Sequence, residues 1–365
     1  MDRRSFIAKA SVGVVAGQAI AQQTLAADVD KLPNVRWRLS SSYPKSLDTI
    51  YAASEVIAKR VDELTGGKFQ IRVFAGGEIV PGLQVLDAVQ NGTVECGYSA
   101  SYYYVGKDPT FAFGTAIPFG FNCRQFNAWW IHGGGNEMLN DFYKGYNVHA
   151  ILAGNTGAQM GGWYRKEIKT AADLQGLKFR IGGFAGKVLL KLGVVPQQLA
   201  GSDIYPALER GTLDAAEWVG PYDDEKLGFH KVAKYYYYPG WWEGGAALHL
   251  FVNRKQWESL PAEYKAALEV ACEYANTWMV SKYDAQNPAA LRRLVASGTQ
   301  LRAFPKAVME ACYKASVELY KETSATNAAF KKVYDAVEKF RKDQTLWFRV
   351  CENTYDNFMG TVDRT

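Results

Sequence analysis

Short strand-like stretches alternating with amphipathic helical stretches are the feature that most narrows what this chain can fold into. Residues 35–39 alternate apolar and polar side chains, the period of a strand. Ile50, Ala53, Val56, Ile57, Val61 and Leu64 then recur at helical spacing, with Ser46-Leu47-Asp48 ahead of them as a capping sequence and Thr65-Gly66-Gly67 as a stop. Residues 69–74 read as a second strand, 83–90 as a helix and 94–98 as a third strand. Such alternation predicts α/β layers with mostly parallel strands.

The pattern has a faint internal echo. Ala88-Val89-Gln90-Asn91-Gly92-Thr93-Val94-Glu95 resembles Ala207-Leu208-Glu209-Arg210-Gly211-Thr212-Leu213-Asp214. Each reads as a helix end, a glycine suited to the left-handed conformation, and the opening of a strand. With 365 residues and 48% hydrophobic content, the chain can build two such units, each with its own core. The reading places a first lobe over residues 28–150, with a strand at 150–153 crossing into a second lobe over 151–247. Residues 248–325 then return to the first lobe and carry connecting helices, expected at 262–284, 288–297 and 305–323, with a short strand at 299–302. A C-terminal helix over 326–365 carries apolar residues suited to covering a lobe or pairing with a second subunit.

Residues 1–27 read as a removable export signal. Arg3-Arg4-Ser5-Phe6-Ile7 has the twin-arginine form, an apolar stretch too short to span a membrane follows at 10–21, and small residues then offer cleavage sites. This predicts a periplasmic protein. Net charge is +5, of which these 27 residues carry a net +2. With no lysine or arginine run, the charge gives no sign of nucleic acid as a partner. Cys96, Cys123, Cys272, Cys312 and Cys351 are scattered and make no zinc spacing. The periplasm permits a disulfide such as Cys272–Cys312, but the pattern favours small, buried, apolar cysteines.

Four segments between residues 154 and 244 are too polar, aromatic or glycine-rich for plain core. The first, residues 154–163, is a glycine-rich turn offering Asn155 and Gln159. In the second, Leu177-Lys178-Phe179-Arg180-Ile181-Gly182-Gly183, a guanidinium stands at a strand end just before a turn; alone it reads as a surface arginine, but its fork of N–H donors suits a carboxylate. The third places Glu217 and Trp218 beyond an apolar strand, where open α/β sheets bind ligands. The acidic run Asp223-Asp224-Glu225 that follows reads as the start of a helix favoured by its dipole. The fourth, residues 235–245, clusters aromatic rings around Glu243, and Tyr102-Tyr103-Tyr104 sits similarly after a strand in the first lobe.

One arginine beside two carboxylates would repel an anion unless a cation completed the set. Oxygen donors from Gln159, Glu217, a main-chain carbonyl and Glu243 suit sodium or calcium, while Arg180 holds a carboxylate with an adjacent oxygen.

Segments of this length carry a family resemblance through essentially the whole chain after the signal: Ser42-Tyr43-Pro44-Lys45-Ser46-Leu47-Asp48, the tyrosine run with Val105-Gly106-Lys107, Gly154-Asn155-Thr156-Gly157, the Arg180 segment, Glu217-Trp218-Val219-Gly220-Pro221, and Tyr238-Pro239-Gly240-Trp241-Trp242-Glu243. The chain resembles the periplasmic solute-binding proteins of tripartite ATP-independent periplasmic (TRAP) transporters, in the branch that binds 2-oxo acids such as pyruvate, or lactate, with a metal ion. The resemblance implies a two-lobed, type II-like periplasmic-binding-protein fold with crossing strands and a helical C-terminal region. It implies Arg180 as the carboxylate-binding arginine, Asn155 as a ligand contact, and Gln159, Glu217, the Trp218 main chain and Glu243 as the metal site. Gln159 and Trp218 border the ligand as well, and which of Tyr102, Tyr103 and Tyr104 reaches it stays open. The branch includes homodimers with exchanged C-terminal helices, and its partners are the membrane subunits of the permease. A metal-dependent hydrolase or lyase of small acids is the competing reading, weakened by the lack of a histidine base or nucleophile–base pair. A periplasmic sensor subunit is the third.

Overall fold

The computed structural model describes residues 31–362, so the expected export signal lies outside the described residues. The strands in chain order are β1 (Val35–Ser41), β2 (Phe69–Phe74), β3 (Cys96–Ser99) and β4 (Val148–Asn155). They continue with β5 (Trp163–Tyr164), β6 (Lys178–Arg180), β7 (Val195–Gln197), β8 (Ala215–Ala216), β9 (Tyr235–Tyr238), β10 (Ala247–Asn253) and β11 (Gln300–Ala303). Two sheets result, ordered β2-β1-β3-β10-β4 and β11-β9-β5-β8-β6-β7.

In the first sheet β1 runs parallel to β2 and β3, and β10 is antiparallel to β3 and β4. In the second, β6 is parallel to β7 and β8, β5 is antiparallel to β8 and β9, and β11 is parallel to β9. The helix Ala52–Leu64 buries Ala53, Ile57 and Val61, one stripe at intervals of four. Full burial of a side chain the size of Ile57 or Val61 is worth about 1.5–3 kcal/mol, enough to hold the helix on the sheet.

Several expectations shift. The strand expected at 150–153 is longer and belongs wholly to the first sheet, because β10 pairs along it from Val148 to Asn155. Residues 148–155 therefore all belong to the first sheet. The stretch 248–325 does not simply return to the first lobe: β10 does, but β11 joins the second sheet through its register with β9. The two helices expected at 262–284 and 288–297 are one helix of 35 residues, Ala262–Ala296, running through Pro288. A proline there removes a helix hydrogen bond, but Tyr283, Ala290 and Leu294 stay buried on either side and hold the axis.

Ser46-Leu47-Asp48 does not cap the first helix. The backbone winds through turns, with Tyr51 N–H donating to Leu47 C=O at 3.0 Å, and the helix begins at Ala52 without a side-chain cap. The Asp48 carboxylate instead reaches the helix Pro221–Leu227 of the second lobe, where it pairs with Lys226 and accepts from the Tyr222 hydroxyl at 3.0 Å. All five cysteines are free, and Cys272 and Cys312 are buried in separate helices, so the Cys272–Cys312 pair is not formed. No helix among the described residues is long and apolar enough to cross a membrane.

Candidate ligand and cation site

Two neighbouring parallel strands and two crossing segments build the site. β6 ends at Arg180, and Glu217 follows β8 directly; the Glu217 N–H donates to the Arg180 carbonyl at 3.1 Å. The polypeptide crosses between lobes at residues 156–162 and again at 239–246. These crossings are zipped together: Gln159 N–H donates to Glu243 C=O at 3.2 Å, and Gly240 N–H to Gln159 C=O at 2.9 Å. A Cβ on Gly240 would stand 2.7 Å from the Met160 carbonyl oxygen, so only glycine permits this approach. The zipper sets Gln159 beside Glu243, and the sheet sets Arg180 beside Glu217.

Arg180 is not a free fork. Its Nη1 donates to the Glu217 carboxylate (Oε1) at 2.5 Å and to the Glu217 carbonyl at 2.7 Å, and its Nε donates to Leu199 C=O at 3.1 Å. The guanidinium lies 5.0 Å from the Trp218 ring centroid. Arg180 is 1% exposed, and its Nη2 is buried without a partner. The sequence offered the whole guanidinium fork to an incoming carboxylate; the fold leaves one nitrogen, Nη2, because protein carbonyls and Glu217 occupy Nε and Nη1.

The same accounting picks out the other members. Glu217 Oε1 also accepts from Gly182 N–H at 2.8 Å, leaving Oε2 unpaired. Gln159 Nε2 is anchored to Thr156 Oγ1 at 3.1 Å, leaving Oε1 unpaired. Asn155 Oδ1 accepts from Gly157 N–H at 2.9 Å, leaving Nδ2 unpaired. Both Glu243 oxygens are buried and unpaired. Buried polar atoms are nearly always satisfied, and each orphan costs about 1–3 kcal/mol. A set of orphans this dense marks a place built for something to bind.

The donor chemistry fits both halves of the expected pair. Glu217 Oε2, both Glu243 oxygens and Gln159 Oε1 are hard oxygen donors of the kind sodium and calcium take. Arg180 Nη2 and Asn155 Nδ2 are N–H donors for an anion. Among the described residues no group of three or more His, Cys, Asp or Glu is placed to hold a metal. A cation here would therefore draw on amide and main-chain oxygens, such as the Trp218 carbonyl, beside the two carboxylates. Burial pushes the Glu243 carboxyl well above its ordinary range, and the neighbouring Glu217 pushes it further. Burial also raises Glu217, against the pull of Arg180. Glu217 has Arg180 as its counter-charge while Glu243 has no cation bonded to it, so the two carboxylates together are short of positive charge.

The tyrosines divide. Residues 101–104 form a 3-10 turn rather than a strand, so their side chains fan out. The Tyr102 ring packs on Gly182 and Gly183; at Gly183, with φ +67°, a Cβ would come within 2.1 Å of Tyr102 Cδ2. The charges of Arg180, Glu217 and Glu243 all act on Tyr102 and Tyr103. Tyr104 is directed elsewhere: its hydroxyl meets Ser99 Oγ at 2.8 Å and accepts from Leu86 N–H at 3.1 Å, inside the first lobe.

The tyrosine run 235–238 is largely core. Tyr236 donates to Asp224 at 2.7 Å and stacks on Trp163 at 4.0 Å, and the Tyr237 hydroxyl accepts from Ile168 N–H at 2.7 Å. Asp223 and Asp224 do more than favour a helix dipole, since both are buried acceptors for tyrosine or tryptophan donors.

The structure adds residues that motif reading did not assign. Tyr43 borders the cleft with a buried, unpaired hydroxyl, its ring 6.3 Å from Trp218 and 6.5 Å from Tyr103. Gln198 bridges the lobes, accepting from Gly183 N–H at 3.3 Å and donating to Tyr103 C=O at 2.9 Å. Tyr43 and Asp48 both lie in the Ser42–Asp48 segment that carried part of the resemblance, which was the available signal. The cleft encloses a cavity of about 10 Å³ bordered by Tyr43, Ile50, Tyr103, Gln159, Trp218 and Leu248.

Two lobes meeting over a buried set of unpaired carboxylate, amide and guanidinium groups, with no nucleophile–base pair among them, define a receptor for a small solute. The chain belongs to the DctP family, bacterial extracellular solute-binding protein family 7, whose profile matches residues 40–327. It is 51% identical over 363 residues to the monocarboxylate 2-oxoacid-binding periplasmic protein of Nostoc sp. PCC 7120, covering 99% of this chain and 100% of the relative. Among solved structures it is similar to a TRAP transporter solute-binding protein from Bordetella bronchiseptica RB50, described as a dimer of mixed occupancy with copurified calcium and picolinate (56% identity, TM-score 0.90, covering 91% of this chain and 99% of that one). It is also similar to a TRAP periplasmic solute-binding protein from Pseudoalteromonas atlantica T6c with bound sodium and pyruvate (39% identity, TM-score 0.86, covering 89% and 99%). A third, from Colwellia psychrerythraea, holds calcium and pyruvate (37% identity, TM-score 0.86, covering 89% and 99%).

Proposed function

We propose that this protein is the periplasmic receptor of a TRAP transporter, that it binds a small 2-oxo monocarboxylate of the pyruvate type together with sodium or calcium, and that it delivers this ligand to the membrane permease. The observation that carries the reading is the set of buried, unpaired atoms: Arg180 Nη2 and Asn155 Nδ2 on the donor side, and Gln159 Oε1, Glu217 Oε2 and both Glu243 oxygens on the acceptor side. Gln159, Glu217, the Trp218 carbonyl and Glu243 would hold the cation, which when bound supplies positive charge for a ligand to chelate. Arg180 orients the ligand carboxylate, and the packed aromatic cleft excludes water. Pyruvate pairs its carboxylate with an oxo oxygen and picolinate pairs its carboxylate with a ring nitrogen, so the molecules held by the similar structures share the chelating form this site selects. A 2-hydroxy acid such as lactate offers the same two donors and is the second reading.

Pairing of two copies is part of the proposal. The helices Ala328–Val350 and Glu352–Val362 leave Leu346, Trp347, Val350, Tyr355 and Phe358 more than half exposed, an apolar stripe suited to a second copy. The B. bronchiseptica neighbour is a dimer.

A thermal-shift screen tests the function. Protein stripped of metal is melted with pyruvate, lactate, acetate and succinate, each with calcium, with sodium and with chelator. A ligand at a hundred-fold excess over Kd stabilises by about 2.7 kcal/mol. Pyruvate should do so only with a cation present; equal shifts with chelator, or none with any 2-oxo acid, would overturn the reading.

A further inference from the structure

We propose that Ile50 and Leu248 form an end wall that sets how long a ligand side chain the site accepts, an inference that rests on the 2-oxo acid reading above. The cavity between the lobes holds about 10 Å³, close to the least that admits one water. Its lining is two-sided in chemistry. Gln159, whose Oε1 is unpaired, lines it with Tyr102, Tyr103 and Trp218, whereas Ile50 and Leu248 are apolar and contributed by the first lobe, with Val219 the apolar residue from the second. A 2-oxo acid keeps its carboxylate and oxo oxygen with the polar cluster, where the unpaired donors and acceptors are. Its third carbon and anything beyond then meet the apolar lining of this cavity, to which the first lobe contributes Ile50 and Leu248.

That side is firmly held. Leu248 is 1% exposed and lies near the start of β10, an inner strand of the first sheet, at the point where the register with β4 shifts. Ile50 is 3% exposed, in the turn that leads into the helix Ala52–Leu64. Both are buried, Leu248 within a strand and Ile50 in the turn before a helix, so a longer ligand is accommodated only by displacing packed side chains or holding the lobes apart. With room for about one water, the cleft must open or repack even for a three-carbon acid, and each further carbon asks more of this wall. Discrimination per methylene in such pockets is about 10–200-fold.

The test is calorimetry on the full chain saturated with calcium, using pyruvate, 2-oxobutanoate and 2-oxopentanoate. In Ile50→Ala and Leu248→Ala, the affinity for 2-oxopentanoate relative to pyruvate should rise by about 10-fold or more over wild type. Ile50→Val and Leu248→Val, which disturb folding least, should move the ratio in the same direction by less. A ratio unchanged in all four variants, each still binding pyruvate, overturns the end wall and leaves the function intact. Wild-type protein that binds none of the three acids overturns the functional reading itself.

Discussion

Arg180 Nη1 donates to both the side-chain carboxylate and the main-chain carbonyl of Glu217, at 2.5 and 2.7 Å, with both residues essentially fully buried. The pair is therefore a structural unit before any ligand arrives, and each member presents one unused atom, Arg180 Nη2 and Glu217 Oε2. Arg180→Ala should abolish the ligand-dependent thermal shift. It should also destabilise the metal-free protein by about 3–5 kcal/mol, because Glu217 is left buried without its partner. Urea unfolding measures the second effect separately from the first.

Glu243 behaves in the opposite way. Both of its oxygens are buried and unpaired, and burial together with Glu217 opposes its ionisation. Glu243→Gln should leave the metal-free protein at pH 8 as stable as wild type, or more stable by about 1 kcal/mol, since it replaces a carboxyl whose ionisation burial and Glu217 oppose with a neutral group. The same variant should lose the stabilisation by calcium or sodium. Melting curves with cation and with chelator give both readings; a cation response of wild-type size would remove Glu243 from the cation site.

Asp48 ties the lobes together at the cleft margin. It pairs with Lys226, bonds the Tyr222 hydroxyl at 3.0 Å, and lies 3.3 Å from Lys282 Nζ. Its side chain is half exposed, so solvent screens these contacts and each is worth about 0.2–1 kcal/mol. Asp48→Ala should weaken pyruvate binding by up to about fivefold without touching the ligand, and the difference from wild type should shrink at high salt. Titration calorimetry at low and high ionic strength checks it.

His249 is fully buried against Trp130, 4.8 Å between ring centroids, and neither ring nitrogen has a partner. Burial pushes its pKa down to about 3, below the ordinary value of about 6.5. The unfolded chain therefore takes up a proton below about pH 6.5 that the folded chain refuses. The contribution of a neutral His249 is present above that pH and is lost as pH falls toward 3. His249→Phe removes this sensitivity. Its stability relative to wild type should rise by about 1.4 kcal/mol per pH unit below 6.5, read from urea unfolding between pH 7.5 and 5.

Much of this was legible in the residues. The alternation through residues 35–98 announced β1, the helix Ala52–Leu64, β2 and β3, because burial of one face imposes a period whatever the surroundings. Gln159, Glu217 and Glu243 stood out as oxygen donors in glycine-rich or aromatic surroundings that plain core does not need. Other features depended on partners distant in sequence. Tyr102 and Tyr104 are chemically identical and two residues apart; only the 3-10 turn decides that one packs on Gly182 and Gly183 while the other bonds Ser99 and Leu86. Asp48 read as a helix cap because the local pattern allowed it, while Lys226, 178 residues away, supplied a stronger attraction.

By itself, then, the sequence determined the layered α/β class, the residue types of the site and the charge logic that couples an anion to a cation, since these follow from local periodicity and from the chemistry of individual side chains. The tertiary structure alone decided how many of Arg180's donors remain for a ligand, which tyrosines border the cleft, where the lobes divide and how small the enclosed space is. Each of these depends on which backbone carbonyls and side chains arrive from the other lobe or a neighbouring strand, and long-range pairings such as β4 with β10 are set by the packing of the whole fold rather than by any one segment.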